Sequence, residues 1–164
     1  MRGRWAIGGT PLGEPLAYFL TWTCYGTWLP GDERGWVDKH DAGPNVPYKP
    51  PDPLLRARAA ARMDEPPVIF SLQKRMLVDT AIRETCAYRG WFIHRLSVRS
   101  NHVHVVVTAS HTTPESAMQA LKANATQALN GLGRRKHWWT DGGSKRYLND
   151  ERSLHGAIEY VANQ

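Results

Sequence analysis

The chain has 164 residues, 41% hydrophobic and 22% charged, with a formal net charge of +6. That is enough for one domain with a core, and too little for two of ordinary size or for a TIM barrel of roughly 250 residues. No run approaches the roughly 18 apolar residues of a membrane span, and the basic start Met1-Arg-Gly-Arg-Trp5 lacks the apolar segment of a signal peptide; the expectation is a cytoplasmic protein with no membrane partner. Cys24 and Cys86 are too few and too far apart for a zinc knuckle or a disulfide framework. The basic excess is local: residues 1–50 hold five basic and five acidic side chains, and residues 51–152 hold sixteen against nine. Such a stretch suits a polyanionic partner, nucleic acid first, or else a solvated basic surface.

Residues 1–15, rich in Gly and Pro, read as a loose arm. Pro15 to Cys24 is aromatic and β-branched, which predicts a strand. Gly26 to Pro53 is a long insertion of Gly, Pro and Asp carrying Trp28 and Trp36; loops of that length are usually functional or disordered. Leu54 to Met63 predicts a short basic helix, ended by Pro66-Pro67. Ser71 to Tyr88 is the clearest helix, with Leu72, Met76, Leu77, Ile82 and Cys86 as its apolar stripe and Gly90 closing it. Strands follow at Trp91 to Val98 and His102 to Ala109. Thr113-Pro114 starts a helix that buries Met118, Leu121, Ala125 and Leu129 and stops at Gly131. After a Gly-rich basic segment come a short strand at Arg146 to Leu148 and a last helix capped by Asn149-Asp150 and running to Gln164. This order predicts an α+β fold for a single domain spanning 1–164: a ferredoxin-like βαββαβ antiparallel sheet with an additional C-terminal helix, one face covered by helices and the other open.

The densest chemical signal is Asn101-His-Val-His-Val-Val-Val107. With strand period 2, Val103, Val105 and Val107 share the core face, while His102 and His104 point to the opposite one, about 7 Å apart along the strand. Two imidazoles so placed can converge on a divalent cation, although a lone strand histidine is more often structural. A third ligand must then come from another element. On the last helix Leu154, Ala157, Ile158 and Val161 form the buried stripe, and Tyr160 and Gln164, at i and i+4, stack on its flank; an amphipathic tyrosine at a helix–sheet boundary is the plain alternative. Lys122, Thr126 and Asn130 make a polar stripe that could touch phosphates or simply face solvent. Arg134, Arg135, Lys136, Lys145 and Arg146 surround Trp138-Trp139, a combination suited to single strands whose bases stack on indole, or to a local mini-core. Trp28 and Trp36 could act likewise. His40, His94, His111, His137 and His155 are isolated and carry no assigned role.

Strand-borne His102-Val-His104 with helix-borne Tyr160 and Gln164 resembles the HUH single-strand endonucleases with one catalytic tyrosine. The resemblance is closest to the insertion-sequence transposases of that class and to their domesticated relatives, the REP-associated tyrosine transposases. It extends over Tyr18 to Asp32, Ser100 to Val107, Leu121-Lys122 to Leu129-Asn130 and Ala157 to Gln164, and the insertion at 26–53 departs from the shorter members. The resemblance implies that His102, His104 and Gln164, with Asn163 as the alternative, hold Mg²⁺ or Mn²⁺ at the scissile phosphate. It implies that Tyr160 attacks to give a 5′-phosphotyrosine and a free 3′-OH. The implied partner is single-stranded or hairpin DNA in the nucleoid, handled by a homodimer or a monomer. Two readings compete: a non-catalytic single-strand-binding module on the same sheet, and a phosphoesterase in which metal-activated water replaces the tyrosine.

Overall fold

The computed structural model describes residues 13–38, 40–41 and 46–164; residues 1–12 of the expected arm lie outside the described residues. In chain order the elements are β1 (Ala17–Thr23), α1 (Pro53–Ala61), α2 (Leu72–Arg89), β2 (Phe92–Val98), β3 (His102–Thr108), α3 (Pro114–Asn130), β4 (Ser144–Leu148) and α4 (Glu151–Ala162). Their starts follow local chemistry. Asp52, Ser71, Thr113 and Asp150 accept the backbone N–H of Leu55, Lys74, Ser116 and Ser153, capping the four helices, each cap contributing about 1 kcal/mol. α2 ends at Gly90, whose φ of 70° is the left-handed value that a side chain resists.

The four strands form one antiparallel sheet in the order β2-β3-β1-β4, the ferredoxin-like arrangement. On one face Tyr18, Leu20, Trp22, Val103, Val105 and Val107 meet Val78 and Ile82 of α2 and Leu121, Ala125 and Leu129 of α3 in the main core. The opposite face is not left open as expected. Ala17, Phe19, Val106 and Leu148 pack there against Leu154, Ala157 and Val161 of α4 in a second, smaller core. The pleat turns Phe19 and its cross-strand partner Val106 outward, and this apolar pair gives the α4 stripe its seat. A second correction concerns α2. Leu72 and Met76 are 66% and 62% exposed, and the buried stripe is Val78, Ala81, Ile82, Thr85 and Cys86, because the packed layer begins only after the first turns of the helix. Cys24 and Cys86 are free, buried thiols.

The described part of the 26–53 insertion is tied to itself. Trp36 and Lys49 form an isolated antiparallel bridge, and the indole N–H groups of Trp28 and Trp36 donate to the carbonyls of Gly35 and Pro50 at 2.9 and 3.0 Å. Asp32, 2% exposed, binds the Arg34 guanidinium at 2.7 Å and lies 3.9 Å from that of Arg56 on α1. The guanidinium of Arg34 holds its carboxyl near 2. At Gly31, with φ 86°, the backbone of Asp52 and Arg56 leaves no room for a Cβ, so the insertion folds back onto α1.

Candidate active site and nucleic-acid interface

β3 delivers both histidines to the face that α4 covers in part. His104 lies opposite Thr21 and His102 opposite Thr23 on β1, and the two imidazole centroids approach to 4.7 Å. Each ring is held through Nδ1, His102 by the Asn101 Oδ1 at 2.8 Å and His104 by the Thr21 Oγ1 at 2.7 Å; neither Nε2 has a hydrogen-bond partner among the described residues. His104 is only 6% exposed. Burial, then the charges of His102 and Arg99, pushes its pKa down to about 4, and burial followed by Arg99 lowers that of His102. Both rings are therefore neutral at physiological pH, the form that ligates metals.

α4 brings Tyr160 to the same place. Its ring centroid is 5.7 Å from that of His104 and 5.8 Å from that of Phe19, and the residue remains 51% exposed. Phe19 therefore backs the phenol on one side, and the rest of the ring is open to solvent. Gln164 lies beside the β2–β3 turn, its backbone carbonyl accepting from the Arg99 guanidinium at 2.8 Å. Its side chain has no hydrogen bond to either imidazole among the described residues. No group of three His, Cys, Asp or Glu side chains converges among them either. A cation held by the two Nε2 atoms would accordingly take its remaining ligands from neutral oxygen donors, such as a side-chain amide, or from a phosphate.

The basic residues expected to meet DNA divide into two groups. Lys122, Thr126 and Asn130 are half-buried and anchor the 133–143 segment through their own hydrogen bonds. The Lys122 ammonium donates to the carbonyls of Thr140 and Gly142 at 3.0 and 2.6 Å, Thr126 Oγ1 accepts the Trp139 indole N–H, and Asn130 Oδ1 accepts that of Trp138. Burial pushes the pKa of Lys122 down to about 8, partly offset by the Asp141 carboxylate, so the ammonium stays mostly charged at neutral pH. Trp138 departs from the expected stacking platform: at 4% exposure it belongs to the core. Arg135 donates to the Pro66 carbonyl at 2.6 Å, and Lys136 pairs with Asp64 at 2.9 Å. Lys145 is half-buried, with its ammonium 3.3 Å from the Gly143 carbonyl.

Arg134 and Arg146 are exposed. Arg146 shares a sheet row with Phe19, and Arg95 shares it with Val106, so the two edge strands each present an arginine on the histidine-bearing face. Sequence reasoning missed Arg95, Phe19, Thr21 and Asn101. Asn101 adjoins His102 and could have been suspected, whereas the other three acquire meaning only from the strand register.

A protein-family model described as "Transposase IS200 like" matches residues 67–164. Among solved structures the chain is similar to a REP-associated tyrosine transposase bound to a REP hairpin, at 13% identity and a TM-score of 0.51, over 88% of this chain and 63% of that one. It is also similar to a candidate transposase from Deinococcus radiodurans R1, at 13% identity and a TM-score of 0.46, over 95% of each chain. The chain thus spans 63% of the length of the first of these structures, and at such identity the likeness is one of fold. No curated protein sequence matches it.

Proposed function

The chain belongs to the IS200-like transposase family, and from that membership we propose that it is a metal-dependent endonuclease and strand transferase for single-stranded or hairpin DNA, acting through a 5′-phosphotyrosine at Tyr160. The observation that supports this most is the juxtaposition of a half-exposed phenol with a neutral His-x-His pair, 5.7 Å between the Tyr160 and His104 rings. His102 and His104 would hold Mg²⁺ or Mn²⁺ through Nε2, with the amide of Gln164 or Asn163 as a further ligand. Bound there, the cation would neutralise charge at the scissile phosphate and polarise it; imidazole donors favour Mn²⁺ over Mg²⁺. Tyr160 supplies the nucleophile: its Oη–P bond forms as the P–O3′ bond breaks, the phenolic proton is lost and the departing 3′ oxygen gains one. The ester keeps the phosphodiester energy, so a 3′-OH can reverse the step and rejoin strands. Arg95 and Arg146 on the edge strands, with Arg134, would guide the backbone of the strand across this face.

The test is incubation with labelled single-stranded hairpin oligonucleotides and Mn²⁺, followed by a denaturing gel beside Tyr160→Phe. A metal-dependent adduct that survives SDS and disappears in Tyr160→Phe is the expected result. Cleavage without an adduct, persisting in the variant, would point to metal-activated water. Tight strand binding with neither cleavage nor adduct would support a non-catalytic binding module.

A further inference from the structure

A neutral imidazole carries one N–H and one lone pair, and the nitrogen that donates a hydrogen bond leaves the other free to ligate. Both histidines of the site are held at Nδ1 by a neighbouring side-chain oxygen. We propose that Asn101 and Thr21 are positioning residues that fix the tautomer and ring orientation of His102 and His104, so that both Nε2 lone pairs face a shared divalent cation; this rests on the metal-dependent reading above.

The two contacts act differently. The Asn101 Oδ1 can only accept, so at 2.8 Å it requires the His102 proton on Nδ1 before any cation arrives. The Thr21 hydroxyl, 2.7 Å from the His104 Nδ1, can donate or accept. It takes the accepting role once Nε2 is engaged, and it stops the ring from turning over. The backbone that carries each of these oxygens is itself fixed. Thr21 lies directly opposite His104 in the β1–β3 register. The Asn101 carbonyl accepts the Cys24 N–H at 2.8 Å and the Thr27 hydroxyl at 3.4 Å, which pins the β2–β3 turn to the start of the insertion. Rings held in this way lose little orientational freedom on binding a metal, and such supporting hydrogen bonds are typically worth about 10- to 100-fold in affinity.

Two readouts test this, and the first needs no metal. Long-range ¹H–¹⁵N NMR of the metal-free protein should show His102 protonated at Nδ1 in the wild type and as a mixture of tautomers in Asn101→Ala. Mn²⁺ binding, followed by the EPR signal of the free ion, should weaken about 10-fold or more in Asn101→Ala and in Thr21→Val. Thr21→Ser, which keeps the hydroxyl, should retain wild-type affinity, and Asn101→Asp, which offers only acceptors and adds a negative charge, should bind at least as tightly as wild type. These conservative variants separate lost positioning from lost folding, and thermal unfolding of all four verifies it. A wild-type His102 protonated at Nε2, or unchanged Mn²⁺ affinity in both Asn101→Ala and Thr21→Val, would overturn the proposal. A wild type that binds no Mn²⁺ would overturn the metal-dependent reading instead, while the metal-free tautomer spectra would still decide whether Asn101 sets the ring.

Discussion

No carboxylate among the described residues offsets the burial of His104, and that burial, followed by the charges of protonated His102 and of Arg99, pushes its pKa down to about 4. In the unfolded chain a histidine titrates near 6.5. Between those values the unfolded state binds a proton that the folded state refuses, so stability rises with pH across the window and is lost as pH falls from about 6.5 to about 4. The whole difference is at most about 3 kcal/mol. Urea unfolding at pH 4.5 and 7.5 should show a smaller loss on acidification in His104→Gln than in the wild type; equal losses would contradict this account. Asp32 produces a separate, more acidic loss. Its carboxyl is held near 2, chiefly by the Arg34 hydrogen bond, so its contribution is present above about 3.8 and disappears as pH falls towards 2. At this scale the sequence already displayed the His pair and Tyr160. It could not display what surrounds them, because Phe19 and Thr21 reach the site from β1, a strand far away in the chain.

The elements were read from local periodicity, and where burial is local the reading holds. α3 buries Met118, Leu121, Ala125 and Leu129, and α4 buries Leu154, Ala157 and Val161. α2 shows the limit: Leu72 and Met76 have helical spacing but no neighbouring layer to cover them. The polar row Lys122-Thr126-Asn130 shows it again. Spacing put the three on one face of α3, yet only the docking of residues 133–143 gave them partners. Asn130→Ala should therefore act as a core mutation despite its polar surface aspect, leaving the buried Trp138 indole N–H unpaired at a cost of about 1–3 kcal/mol in urea unfolding. A cost below about 0.5 kcal/mol, the range of ordinary surface changes, would show that the bond is dispensable.

Across the whole molecule, two apolar cores on opposite faces of one sheet divide the labour. The larger one, under α2 and α3, holds the fold, and the smaller one, under α4, carries Tyr160 to the histidines. The net charge of +6 is not uniformly available to a polyanion, since several cations serve the protein's own carbonyls and carboxylates. Binding of single-stranded DNA across a salt series should separate the two kinds. Arg134→Ala and Arg146→Ala should each reduce the salt slope by about 1. Lys122→Met should leave the slope unchanged and lower stability instead, because its ammonium is bound to Thr140 and Gly142. Among the described residues no helix is long and apolar enough to cross a membrane.

The sequence by itself determined the strand and helix order, the caps, the pairing of His102 with His104 on one strand face and the amphipathic stripe of α4. Each of these is written in a period of 2 or 3.6 residues, or in a single side chain beside its own backbone. Tertiary structure alone decided that α4 settles on the histidine face, that Thr21 stands behind His104, that Phe19 lies under Tyr160, and which basic side chains stay free. Those outcomes depend on register and on contacts between distant segments: Thr21 and His104 meet across 83 positions. A local period carries no information about a partner that far along the chain.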